Sequence, residues 1–247
     1  MRFSFLPLVL TSWSSIAGPE PAESKETIAA RELMVRTIET RGITDARVLD
    51  ALRKTPRHLF VPAEYRSLAY SDRPLPIGSD QTISQPYIVA IMTELARPTS
   101  KSKALEIGTG SGYQAAVLSK LVRSVHSIEI VPELADRARK DLAALGYSNV
   151  TVITGDGYRG LPKEAPFDVI LVTAAPSMVP QPLVDQLAVG GRLVIPVGSS
   201  DQELILIERT AAELVRKSII PVMFVPMTGE AAKAKVPEVD PRKKSDP

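Results

Sequence analysis

The sequence predicts an α/β protein, a Rossmann-like doubly wound domain built on a mainly parallel sheet. From Lys103 onward, short apolar segments alternate with helical ones of roughly ten to fifteen residues, the order of repeated βαβ units. Asp168-Val-Ile-Leu-Val-Thr173 is a continuous apolar run, as expected of a strand covered on both faces. Ala104–Ile107 runs straight into Gly108-Thr-Gly110-Ser-Gly112 and then into a helical period, the strand, glycine turn and helix of a ligand-binding crossover.

From Glu23 to Thr40, Ile28, Leu33, Val35 and Ile38 recur at roughly helical spacing, and Arg41-Gly42 closes the segment. Thr44 is placed to cap a second helix with Val48, Leu49 and Leu52 on its buried side, and Thr55-Pro56 to Pro62 breaks it. Between Tyr65 and Gln85 turn residues follow one another without a period. That predicts a long loop, which in a compact domain is more often functional than idle. A helix is expected from near Pro86, a strand at Ala104–Ile107 and a helix at Tyr113–Leu121. Then come a strand at Val125–Ile130, a helix at Pro132–Leu145 with proline in its first turn, and a strand at Val150–Ile153. Beyond the apolar run, a helix is expected at Pro182–Leu187 and strands at Arg192–Val197, Leu204–Glu208 and Val222–Val225.

A chain of 247 residues suits one well-cored domain with some elaboration. There is no cysteine, which excludes disulfides, thiolate metal sites and cysteine nucleophiles, and only two histidines, which excludes a histidine-rich metal centre. Arg2, the apolar run Phe3–Leu10 and Ser15-Ile16-Ala17 resemble a short secretory signal, too short to span a bilayer. Its single positive charge and Pro7 weigh against export, so residues 1–22 are expected to be a leader on a cytoplasmic enzyme, a periplasmic location being the alternative. Residues 23–228 form one domain, with N-terminal helices and an acceptor loop over 23–85 and the α/β core over 103–228. Residues 229–247, of mixed charge, are expected to be a disordered tail rather than a nucleic-acid arm.

The spacing of the glycine turn is G-x-G-x-G, whereas the dinucleotide fingerprint is G-x-G-x-x-G. Glu106 precedes the turn, an odd place for an acid beside a pyrophosphate. Glu129 ends the next strand about twenty residues on, where a carboxylate accepts both ribose hydroxyls. Asp156-Gly157 follows the third strand and sets a carboxylate where an adenine amino group could donate to it. A rim of acids suits a ligand carrying a sulfonium and an ammonium and repels phosphates. The pattern therefore points to S-adenosyl-L-methionine and to the class I S-adenosylmethionine-dependent methyltransferase type of fold. The competing readings are a surface carboxylate for Glu129 and a turn-forming aspartate for Asp156.

Methyl transfer from a sulfonium is an in-line displacement, and an amine acceptor must first lose a proton or have its lone pair oriented. Enzymes that methylate base amino groups commonly place an Asn/Asp-Pro-Pro-aromatic turn after the fourth strand. Here that position reads Thr173-Ala-Ala-Pro176. A carboxylate acceptor is already ionised at neutral pH and needs no general base. Positioning and partial desolvation suffice for it, held geometry being worth roughly 7–11 kcal/mol at best.

Thr82-Ile-Ser-Gln-Pro86, Leu105-Glu-Ile-Gly-Thr-Gly-Ser-Gly-Tyr-Gln114, Asp156-Gly157, Val172-Thr-Ala-Ala175 and Phe224-Val-Pro226 resemble the ordered signature blocks of protein-L-isoaspartate O-methyltransferases. Pro56-Arg-His-Leu-Phe-Val-Pro62 and Pro74-Leu-Pro-Ile-Gly78 fit as well, so the resemblance runs from about Glu32 to Pro226. The glycine block is common to many methyltransferases, and Thr-Ile-Ser is far more specific. The resemblance implies that Ser84 lies beside the methyl and the substrate carboxylate, that the backbone of Thr82, Ile83, Ser84 and Gln85 holds the peptide, and that Val225 closes the opposite wall. It also implies the cofactor set Glu106, Gly108, Gly110, Gly112, Glu129, Asp156 and Gly157, isoaspartyl peptides and proteins as partners, and neither nucleic acid, membrane nor metal. A monomer is expected.

One departure is Asp80, where the family has glycine; aspartate tolerates positive φ, but its charge could weaken binding of an anionic substrate. The bland reading of Ser84 is an N-cap for the helix near Pro86. His58, His126 and Tyr113 are expected to be structural. The rival functions are another class I methyltransferase acting on a small molecule or nucleic acid, and a cofactor-binding module whose acceptor loop Asp80 has disabled.

Overall fold

The computed structural model describes residues 23–233. The expected leader over 1–22 and the tail beyond 233 lie outside the described residues.

Helix α1 (Lys25–Thr40) is capped by Ser24, whose hydroxyl accepts from the Thr27 amide at 3.2 Å. It buries Met34, Val35 and Ile38, neighbours on one helical face. Helix α2 (Ala46–Arg53) is capped by Asp45, not Thr44. The amides of Thr44 and Asp45 both donate to the Glu94 carboxylate, at 2.7 and 2.6 Å. The cap itself is local, the Asp45 carboxylate accepting from Arg47 N–H at 2.9 Å, and it starts the helix one residue later than expected.

The expected loop over Tyr65–Gln85 is instead structured. Single 3-10 turns cover Arg57–Phe60 and Ala63–Leu68. Strands β1 (Leu75–Gly78) and β2 (Gln81–Ile83) then form an antiparallel hairpin. Its two central residues, Ser79 and Asp80, sit at φ 53° and 55°, the type I′ geometry that matches strand twist. Strands this short, interrupted by Pro74 and Pro76, leave no alternating period to read. Helix α3 (Pro86–Ala96) follows.

The core runs β3 (Lys103–Ile107), α4 (Tyr113–Ser119), β4 (Ser124–Glu129), α5 (Pro132–Ala144), β5 (Val150–Thr154), β6 (Phe167–Val172), α6 (Gln181–Asp185), β7 (Leu187–Val197), β8 (Gln202–Arg209) and β9 (Leu214–Val222). Sheet order is β5-β4-β3-β6-β7-β8-β9, with parallel pairing up to β7 and antiparallel pairing beyond it. The strand expected at Val222–Val225 is β9, earlier in the chain. As an edge strand it exposes Arg216, Lys217 and Ser218, so it lacks the apolar alternation of a covered one.

Alternation along the central strands fills both faces. Ala104, Val169 and Leu171 pack with Met92 of α3 and Leu118 of α4. Leu105, Ile107, Ile170 and Val172 pack on the other side with Leu183 of α6 and with Met227 and Ala231. The last contact changes the domain boundary: Gly229–Lys233 is a 3-10 turn with Ala231 buried, so the ordered chain continues past the expected end at 228. The chain runs outward from β3 through β4 to β5 and then returns to β6 on the other side of β3, and this reversal of strand order opens a crevice at the carboxyl ends of these strands.

Candidate active site

A cleft of about 940 Å³, counted with its open mouth, occupies that crevice. Its floor is the turn after β3, where Gly108, Gly110 and Gly112 take φ of 94°, 53° and 86°. A Cβ on Gly108 would lie 2.4 Å from Thr173 Oγ1. That hydroxyl donates to the Gly108 carbonyl at 2.6 Å and so ties the end of β6 to the turn. Gly112 does not line the cleft, contrary to its expected place in the cofactor set. A Cβ there would meet Leu142 at 3.1 Å, so it serves the packing of α4 on α5.

The turn is not an anion cradle. Gly108 N–H donates to the Ile128 carbonyl, Gly112 N–H to the Thr109 carbonyl, and Tyr113 N–H to Ser111 Oγ. Gly110 N–H donates to Glu129 Oε2 at 2.7 Å. These donors are consumed by the protein, and one of them by a carboxylate. The other oxygen of Glu129 accepts from Val131 N–H at 3.0 Å, so this side chain, 5% exposed, is rigidly held at the cleft wall.

Asp156 caps a 3-10 turn by accepting from Tyr158 N–H at 2.9 Å, as the turn-forming reading has it, and its second oxygen accepts from Glu230 N–H at 2.7 Å. It also lines the cleft, together with Gly157, where a Cβ would strike Ile107 at 2.4 Å. Among the described residues no Lys, Arg or His lines the cleft, whose ionisable groups are Glu129, Asp156 and Tyr113. The field inside it favours a cation.

Glu106 is a correction. It is fully buried behind the turn and does not line the cleft. One oxygen accepts from Ser127, whose hydroxyl also meets Thr109 Oγ1 at 2.5 Å, and the other has no partner. Burial pushes its carboxyl up to about 8, against the Ser127 hydrogen bond and with help from the Glu129 charge. At neutral pH it is a protonated acid supporting the turn from beneath.

Thr82 and Ile83 of the hairpin, Ser84 just after it, and Val225 also line the cleft. Val225 is fixed there because its carbonyl accepts from Ala175 N–H at 2.8 Å while Met227 N–H donates to the Ala175 carbonyl at 2.8 Å. Gln85, expected at the peptide site, does not reach the cleft; its amide donates to the Asp72 carbonyl and carboxylate at 2.9 and 3.0 Å. Ser84 does not cap α3. The residue at the cap is Gln85, and no side chain of the local turn caps the helix.

Several lining residues escaped the sequence reading. Ile107, Ile128, Ile130 and Val131 form an apolar wall, and Thr173, Met227 and Thr228 complete the cleft. Ile130 and Thr173 immediately follow the carboxyl ends of β4 and β6, a positional signal that the sequence does carry. Met227 and Thr228 come from a segment with no such signal. Tyr113 is 1% exposed, with Phe60 edge-on at 5.6 Å, and serves packing beneath the turn. His58 Nδ1 pairs with Tyr70 Oη at 2.8 Å, and His126 packs edge-on to Phe167, both away from the cleft. Among the described residues no His, Cys, Asp or Glu cluster could hold a metal ion.

The model of the protein-L-isoaspartate(D-aspartate) O-methyltransferase family matches residues 29–232. A protein-L-isoaspartate O-methyltransferase of Synechococcus sp. is 57% identical over 219 residues, covering 85% of this chain and 90% of the relative. One from Shewanella sediminis is 52% identical over 236 residues, covering 94% and 97%. A solved protein-L-isoaspartate O-methyltransferase superposes with a TM-score of 0.76 at 31% identity, covering 81% of this chain and 67% of the other. A beta-aspartate methyltransferase from Plasmodium falciparum, solved with S-adenosyl-L-homocysteine, gives a TM-score of 0.70 at 24% identity over 80% of this chain and 98% of that one, a likeness of fold.

Proposed function

The chain belongs to the protein-L-isoaspartate(D-aspartate) O-methyltransferase family, and from that premise we propose how its cleft methylates the α-carboxylate of L-isoaspartyl residues in damaged proteins. The enzyme is an S-adenosyl-L-methionine-dependent carboxyl methyltransferase. The observation that carries the site assignment is the acid-only lining of a cleft whose floor glycines, Gly108 and Gly110, give their N–H groups to the protein. Such a site repels phosphates and suits a sulfonium.

S-adenosyl-L-methionine, when bound, supplies an electrophilic methyl on a positively charged sulfur. Glu129 retains a free lone pair on each oxygen for the ribose hydroxyls. Asp156 and Gly157 form the adenine edge of the pocket, with Ile130 as its apolar face. Gly108 and Gly110 let the backbone approach the donor closely, and Glu106 and Gly112 support the turn without touching the ligand.

Ser84 faces the cleft with its hydroxyl free of any protein partner among the described residues. It is the group available to donate to the substrate carboxylate and orient one oxygen for in-line attack. Thr82 and Ile83 hold the peptide by their backbone, and Val225 and Met227 exclude water from the other side. No proton has to move, so the protein needs no base. Neither a nucleic acid nor a small cofactor-like acceptor is favoured by any residue here, and no basic side chain of the cleft would steer a phosphate backbone into it.

The test is labelled methyl transfer to an isoaspartyl peptide beside its normal aspartyl twin. Labelling only the former is expected; equal or absent labelling would refute the reading. No helix among the described residues is long and apolar enough to cross a membrane. We place the enzyme in the cytoplasm as a monomer, where its donor is made. N-terminal sequencing of the expressed protein checks the first point, since removal of the leader would mean export, and light scattering checks the second.

A further inference from the structure

Proline at the first position of α3 has no N–H to satisfy, but the next residue, Tyr87, does. A serine just upstream would ordinarily supply the acceptor. Here the acceptor comes from outside the helix: Asp72 Oδ1 takes the Tyr87 N–H at 2.8 Å. The same carboxylate and the Asp72 carbonyl hold the Gln85 side-chain amide at 3.0 and 2.9 Å. Arg41, at the end of α1, donates to the Asp72 carboxylate while its guanidinium lies over the Tyr87 ring, 3.6 Å from the centroid. Gln85 and Tyr87, the residues on either side of Pro86, are therefore both pinned to Asp72.

The segment that carries Asp72 is itself held from within. Arg57, fully buried, donates through Nε to the Ala69 carbonyl at 2.8 Å and through Nη2 to the Arg73 carbonyl at 3.4 Å, and it stacks over Tyr113 beneath the cleft. This gives the Pro56–Pro62 segment a purpose that its sequence alone did not disclose.

We propose that Asp72 is a positioning residue for methyl transfer: by capping α3 in place of the serine, it leaves the Ser84 hydroxyl free for the substrate carboxylate. Without it, the Tyr87 N–H is unpaired next to a serine whose natural alternative is to cap, and the hydroxyl is drawn away from the cleft. The inference rests on the role of Ser84 given above, so the experiment separates the two.

Isoaspartyl-peptide kcat and KM, with donor saturating, are measured for S84A, D72A, D72N and the double variant D72A/S84A. Donor Kd is measured by calorimetry and the exchange of the Tyr87 amide by NMR. Asp72→Ala is expected to lower kcat roughly ten- to a hundredfold, the scale of a misplaced reacting group. Donor Kd stays within about twofold, since the donor wall is untouched, and the double variant is no slower than S84A. Asp72→Asn keeps a carbonyl oxygen for Tyr87 and recovers most of the turnover. Tyr87 amide exchange is slow in the wild type and fast in D72A. Full turnover in D72A beside an impaired S84A overturns the proposal, as do multiplying effects in the double variant or donor binding lost in step with kcat. Fast Tyr87 exchange in the wild type overturns it even where D72A does not fold. An unimpaired S84A removes the role of Ser84 first and this proposal with it.

Discussion

Glu129 is held by the protein on both oxygens and still lines the cleft, which lets one side chain serve the fold and, in the function proposed above, the donor. Its two oxygens hold the Gly110 and Val131 amides, which fixes them within a low-exposure wall where hydrogen bonds to a charged acceptor count most. Glu129→Ala is expected to weaken donor binding by roughly 1–3 kcal/mol, read by calorimetry; an unchanged dissociation constant would remove it from the site. Glu106 behaves differently because it is sealed. Its folded-state value is raised from 4.5 to about 8 by burial, so the folded protein holds a proton that the unfolded chain has lost. Stability from this group is therefore fully present below the unfolded value of 4.5 and declines as pH rises from there towards 8, by up to roughly 1.4 kcal/mol per pH unit. Glu106→Gln should match the wild type at about pH 4 and surpass it at about pH 8. Urea midpoints across that range check this, and parallel curves for the two proteins would contradict it.

Among the elements, the β1–β2 hairpin sets the geometry of the acceptor wall, and its turn is built from residues that take positive φ at a cost. Asparagine followed by glycine is the preferred pair for this turn type. The double substitution Ser79→Asn and Asp80→Gly should stabilise by about 1 kcal/mol, a Tm gain of roughly 2–4 °C. Asp80 is exposed at the tip of the hairpin whose second strand lines the cleft. Its removal should also raise kcat/KM for peptides with acids beside the isoaspartate, an advantage that fades at high salt. A salt-independent change, or none, would mean that Asp80 does not face the substrate.

At the scale of the molecule, the last described segment of the chain closes against the cleft. The segment Val225–Lys233 bridges Ala175, gives the Glu230 N–H to Asp156, pairs Glu230 with Arg159 at 2.9 Å and buries Ala231. Removing residues 229–247 should leave Asp156 half unpaired and cost about 1–3 kcal/mol of stability along with donor affinity. Removing only 234–247 should change neither. Equal behaviour of the two truncations in thermal melts would show that the 3-10 turn is dispensable.

The fold class, the order of the core elements and the glycine floor of the cleft were legible in the sequence because their signals are local. A buried parallel strand is a continuous apolar run, and a turn that approaches a ligand needs glycine whatever surrounds it. The resemblance in Thr82–Pro86 likewise pointed to a segment whose Thr82, Ile83 and Ser84 line the cleft. The tertiary structure alone decided what those local patterns leave open: that Glu106 faces inward and keeps a proton, that Gly112 serves packing and Gln85 a tether, and that Met227 and Thr228 complete the cleft. It also decided which residue caps α2 and α3. Apart from the α2 cap, which Asp45 makes with Arg47, these contacts join separate segments of the chain, and such a contact leaves no period or spacing to be read.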